Sequence, residues 1–235
     1  MFIHRLFDIL YIKEKRDKMK CVIFDMDGLM FDTERINGDC LKLAAKEFGY
    51  TVTDEIRLKL LGRNKIDCQN ILIEHLGKDY PIARVSELSA QIRKDYIEEN
   101  GLPIKEGLIE LLQYLKEKHI LVTVASSSQY QIIEHYLKLT NIYDYIDYII
   151  SGDKVTNSKP DPEIFLKVIE HFHLNTKDAL VLEDSESGIL AAHHGHIPVI
   201  CIPDLIYPKK KYQDMTLVIL KNLKEVITYL KSECY

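Results

Sequence analysis

The chain has 235 residues, 46% of them apolar, and its 31 basic against 36 acidic residues leave a formal net charge of −5. That is enough chain for one large domain, or for one domain carrying a smaller inserted one. The slight acidic excess excludes any general attraction to nucleic acid or an anionic membrane, so the expected partner is a small molecule. Five cysteines, Cys21, Cys40, Cys68, Cys201 and Cys234, form no CxxC pair. An odd, scattered set reads as reduced thiols and a cytoplasmic protein. No apolar run approaches the roughly 20 residues that cross a bilayer, and a monomer is expected.

In chain order, residues 1–18 read as an N-terminal extension. Ile3, Leu6, Phe7 and Leu10 fit one short helical face, but Asp8 and then Lys13, Glu14, Lys15 and Arg16 break the apolar pattern, which argues against a signal peptide. Met19 directly precedes a predicted strand, Cys21-Val22-Ile23-Phe24, that runs into Asp25-Met26-Asp27-Gly28. Residues 33–102 read as a helical insert. Leu41, Ala44, Ala45 and Phe48 mark one helix, Ile71, Leu72, His75 and Leu76 a second, and Leu88 through Tyr96 a third. The Gly101-Leu102-Pro103 break returns the chain to the main domain.

Beyond it, helix and strand alternate. Leu108, Leu111, Leu112 and Leu115 mark a helix, 120–125 a strand, 132–137 a helix and 145–150 a strand. Ile164, Phe165, Val168 and Ile169 mark the next helix, followed by a strand at 179–182, a helix near 187–194, a strand at 198–202, a β segment around 217–220 and a last helix carrying Leu223, Val226, Ile227 and Leu230. This alternation predicts an α/β fold, a doubly wound parallel sheet built from residues 19–32 and 103–235, with the helical insert between its first strand and next helix.

Ligands of such sheets bind beyond the carboxyl ends of the strands. Polar residues collect at four of those ends: Asp25 and Asp27, Ser126, Lys159, and Glu183 with Asp184. Each has a plainer reading. Asp-Gly is a turn signal, Ser126-Ser127-Ser128 would cap a helix, Asp161 and Pro162 beside Lys159 suit a helix start, and acids favour a helix N-terminus. These readings leave unexplained why all four fall at the same sheet edge. In a strand, residues i and i+2 project to the same side, so Asp25 and Asp27 share a small volume and repel unless a cation or a division of chemical roles keeps them together.

Together the groups make a workable phosphoryl-transfer site. Asp25 and Asp184, with Glu183 acting through water, supply oxygen ligands suited to Mg²⁺. Ser126 and Lys159 donate to phosphate oxygens, Asp25 attacks phosphorus, and Asp27 moves the proton.

On these motifs, Asp25-Met26-Asp27-Gly28, Ser126, Lys159-Pro160 and Glu183-Asp184, the chain resembles the haloacid dehalogenase-like hydrolases across residues 20–230. The resemblance implies a Rossmann-like core, a helical cap over 33–102, and Mg²⁺ held by the Asp25 side chain, the Asp27 backbone carbonyl and Asp184. The family's dehalogenases lack the second aspartate, so Asp27 points to phosphate chemistry. Gly28 through Glu34 and Lys159-Pro160-Asp161-Pro162 are similar to the branch holding sugar-phosphate phosphatases and β-phosphoglucomutase. Asn37 and Lys65 stand where the mutase usually has histidine and arginine, which favours a phosphatase and leaves a β-phosphoglucomutase-like phosphomutase as the alternative. A phospho-aspartate receiver places its aspartate after a central strand and has no helical insert. The implied partner is a small phosphorylated metabolite. Glu34, Asn37, Arg63, Lys65 and Ser127 are the candidates for binding it, and the cap is expected to hinge near 31–33 and 101–103.

Overall fold

The computed structural model describes residues 19–61 and 65–232; the expectation for the 1–18 extension lies outside them. Six strands make one sheet: β1 (Cys21–Phe24), β2 (Leu121–Ser126), β3 (Tyr148–Ser151), β4 (Ala179–Glu183), β5 (Val199–Cys201) and β6 (Val218–Ile219). Their order across it is β3-β2-β1-β4-β5-β6, and every neighbouring pair is parallel. Between β1 and β2 come α1 (Thr33–Glu47), α2 (Asp54–Leu60), α3 (Lys65–Leu76), α4 (Ile82–Asn100) and α5 (Leu108–Glu117). The later helices are α6 (Tyr130–Leu139), α7 (Glu163–His171), α8 (Glu186–His194), the short α9 (Lys210–Gln213) and α10 (Leu223–Ser232).

The period-2 alternation of the strands separates two cores. Val22 and Phe24 face one side with Val124, Leu182, Leu111, Leu137 and Val226. Cys21 and Ile23 face the other with Val181, Phe165, Val168 and Ile189. Burying each of the large apolar side chains contributes on the order of 2 kcal/mol, so helices cover both faces. A third, separate core lies within the insert, where Ala44, Ala45, Val52, Ile56, Leu72, Tyr80 and Val85 pack together. None of the helices among the described residues is long and apolar enough to cross a membrane.

Among the described residues the insert holds four helices where the sequence pattern suggests three. The extra one, α2, has seven residues and a single buried side chain, Ile56, too short a stretch to display a period. Thr53 caps it by accepting the Ile56 N–H at 3.3 Å. Tyr207 and Lys209–Lys211, whose basic run suggests a loop, lead into the short helix α9, which begins at Lys210 and ends at Gln213. At the start of α7 the first helical residue is Glu163 rather than Pro162, and Asp161 Oδ1 accepts the Glu163 N–H at 2.9 Å.

Register places the chemistry. Phe24 lies level with Val124 on β2 and with Leu182 on β4. The next residues of three adjacent strands, Asp25, Ala125-Ser126 and Glu183-Asp184, therefore leave the sheet side by side.

Candidate active site

Lys159 reaches this edge from the loop after β3. Its Nζ lies 2.5 Å from Asp25 Oδ1 and 2.7 Å from Glu183 Oε1, and it donates to the Ala125 carbonyl at 3.2 Å. All three charged groups are buried. Burial alone would lower the ammonium, but the two carboxylates outweigh it and hold Lys159 above its ordinary value. Burial pushes the Asp25 carboxyl up to about 8 against the pull of Lys159, with Glu183 and Asp27 adding to the rise. Asp184 is also raised well above the usual carboxylate range, by burial first and then by Glu183 and Asp25.

Glu183 is fully enclosed and hydrogen-bonded on both oxygens. Oε1 takes Lys159, while Oε2 accepts the Asp184 and Ser185 N–H groups at 3.0 Å each and the Ser185 hydroxyl at 2.9 Å. Gly188 makes room for it, since a Cβ there would overlap the Glu183 carboxylate. Asp184 lies against Gly28, whose φ of +86° suits glycine and whose absent side chain leaves space for the Asp184 carboxylate.

Asp25, Glu183 and Asp184 each offer an oxygen, and these oxygens all lie within 4.8 Å of one another. An oxygen-only set of carboxylates that resist carrying their charges together suits a hard divalent cation such as Mg²⁺. Since Glu183 already has donors on both oxygens, Asp25 and Asp184 are the carboxylates free to face an ion.

Asp27 is held on both oxygens. Thr33 donates to Oδ1 at 2.8 Å; Ser128 and Ser126 donate to Oδ2 at 2.9 and 3.3 Å. Ser126 has no exposed surface, and its Oγ also accepts the Ser128 N–H at 3.0 Å. The hydroxyl thus engages Asp27 directly, while Ser127 and Ser128 line the cleft.

That cleft, of about 940 Å³, runs between the sheet edge and the insert. Asp25, Asp27, Lys159 and Asp184 line its floor; Glu34 and Asn37 line the insert side. Arg93 from α4 donates to Asn37 Oδ1 at 2.9 Å. Burial, then Asp27 and Asp204, pushes the Glu34 carboxyl up to about 7. Arg63 and the Lys65 side chain lie outside the described residues.

Sequence reasoning gave no site role to Thr33, Arg57, Ser128 or Asp204. Ser128 is the third hydroxyl of a run whose first was selected. Asp204 follows β5, so the carboxyl-end rule that selects Asp25 also reaches it. Its buried carboxylate takes Lys105 at 2.6 Å and Arg35 at 3.0 Å, tying together the two crossings between core and insert.

Comparison with known proteins agrees with this arrangement. A model of the haloacid dehalogenase-like hydrolases matches residues 22–202. A phosphorylated carbohydrates phosphatase of Thermotoga maritima is 32% identical over 178 residues, 74% of this chain and 80% of that one. A (DL)-glycerol-3-phosphatase of Arabidopsis thaliana is 26% identical over 80% of this chain and 81% of its own. The crystal structure of a β-phosphoglucomutase from Clostridium difficile superposes with a TM-score of 0.73, covering 92% of this chain and 96% of that one; at 20% identity the likeness is one of fold. With the matched model spanning most of its length and the motifs gathered at one sheet edge, the chain belongs to the haloacid dehalogenase-like hydrolases.

Proposed function

We propose that the protein is a Mg²⁺-dependent phosphatase that hydrolyses small phosphomonoesters, of sugar or nucleoside type, through an aspartyl-phosphate on Asp25. The observation that carries this reading is the pairing at the cleft floor. Asp25 stands beside the ammonium of Lys159, and Asp27 is fixed on both oxygens by Thr33, Ser126 and Ser128. The activities for which the phosphatase relatives are named support it as well.

Asp25 and Asp184, with the Asp27 carbonyl that the family resemblance adds, are the residues to hold Mg²⁺, and Glu183 fixes Lys159 and the loop that carries Asp184. When bound, the ion offsets negative charge on the phosphoryl oxygens and the carboxylates. An Asp25 carboxylate oxygen attacks phosphorus while the ester P–O bond breaks, and Asp27 gives its proton to the departing oxygen. Lys159 offsets charge beside the transferred group. Asp27, now a carboxylate, takes a proton from water as the water oxygen attacks the phosphoenzyme. Inorganic phosphate leaves, and Asp25 and the Asp27 proton are restored.

Release of inorganic phosphate from a panel of sugar, polyol and nucleoside monophosphates, with and without Mg²⁺, tests the proposal. Mg²⁺-dependent release is expected. Interconversion of hexose 1- and 6-phosphates with no release would establish the phosphomutase alternative instead.

A further inference from the structure

Arg57 on α2 lines the same cleft, where its charge acts on the Glu34 carboxyl. Its Nε is buried without a hydrogen-bond partner among the described residues, and its Nη1 lies 3.7 Å from the exposed Asp54 carboxylate, beyond a good hydrogen bond. Lys42 reaches that carboxylate more closely, at 2.6 Å. A buried Nε–H with no acceptor is costly unless something else supplies an oxygen.

The insert makes room for Arg57. Gly38 occupies the middle of α1, where glycine costs about 1 kcal/mol relative to alanine. A Cβ at Gly38 would overlap Nε and Cδ of Arg57. The glycine thus lets the guanidinium lie directly on the helix backbone, one helical turn from Glu34 and beside Asn37, both of which line the cleft.

We infer that Arg57, seated on Gly38, is a specificity-determining residue that donates hydrogen bonds to an oxygen acceptor on the leaving group of the substrate. This rests on the phosphatase reading above and sharpens it: among small monoesters, those whose leaving group carries a carboxylate are preferred over those with hydroxyls alone, and both over those with neither. A planar fork of donors matches a carboxylate on two points and a hydroxyl on one, so the carboxylate gains more.

The test compares kcat/KM for phosphoglycolate (a carboxylate on the leaving group), glycerol 3-phosphate (hydroxyls) and phenyl phosphate (neither) in the wild type, Arg57→Ala and Gly38→Ala. The expected result is a roughly tenfold to hundredfold fall in the ratio of the oxygen-bearing esters to phenyl phosphate for Arg57→Ala, seen mainly in KM. Gly38→Ala displaces a flexible side chain rather than backbone, so it should lower the ratio in the same direction while keeping α1 helical, and the double variant should lose no more than Arg57→Ala alone. A ratio unchanged within twofold in both folded variants, or an equal loss on all three esters, overturns the inference alone. No phosphate release from any ester by the wild type overturns it together with the phosphatase reading.

Discussion

Thr33 Oγ1, in the first residue of α1, donates a 2.8 Å hydrogen bond to Asp27 Oδ1. The residue that opens the inserted helices therefore also orients the carboxyl group assigned to proton transfer. Thr33→Val keeps the shape and removes the donor. The expected outcome is about a tenfold fall in kcat with KM little changed, because the bond positions a reacting group rather than the substrate. Steady-state kinetics on a releasing ester check it.

Lys159 places its ammonium between two enclosed carboxylates, Asp25 and Glu183. Removing one partner of a buried ion pair leaves uncompensated charge, so Lys159→Met should destabilise the metal-free protein by about 3 kcal/mol as well as removing activity. Urea denaturation in EDTA measures it, and Mg²⁺ should restore part of the loss by taking over the neutralising role.

Gly188→Ala tests the Glu183 clamp. The added methyl overlaps the Glu183 carboxylate, and the four donors on that group cannot all follow it. Overpacking of this kind costs about 1–3 kcal/mol. A lowered Tm together with weakened Mg²⁺ dependence is expected, whereas Ala at the exposed end of a helix would be neutral.

The raised carboxyls of Asp25 and Asp184 give a pH dependence of definite sign. With Asp25 lifted from 3.8 to about 8, the metal-free native state holds a proton that the unfolded chain has already released between those values. The contribution of these groups to stability is therefore present at low pH and lost as pH rises through that window. Mg²⁺ replaces the proton, so the rise in Tm on adding Mg²⁺ should be larger at pH 8 than at pH 6. Thermal melts with Mg²⁺ or EDTA at the two pH values check it.

Much of this was legible in the chain. The Cys21–Phe24 run, the later strand–helix alternation and the acids at strand ends all follow from local periodicity and the carboxyl-edge rule. The Asp25–Lys159 pair was not, because a lysine before proline reads equally well as solvated until β1 and β3 are set in one sheet. The triple hold on Asp27 was hidden for a similar reason. Thr33 and Ser128 are separated from it by 6 and 101 residues, and only the fold brings hydroxyls from both sides onto one carboxylate. The seat of Arg57 on Gly38 was likewise invisible, since a mid-helix glycine on α1 gives no hint of which side chain crosses it.

The covalent role of Asp25 is tested most directly by mass spectrometry of the Asp27→Asn protein, quenched in acid after mixing with Mg²⁺ and 4-nitrophenyl phosphate, whose leaving group departs without a proton, so that only the activation of water is lost. With its proton carrier gone, the variant should accumulate a phosphoryl adduct on the peptide containing Asp25, and Asp25→Asn should abolish both the adduct and turnover. Hydrolysis that continues in Asp25→Asn, or an adduct on another residue, would contradict the account.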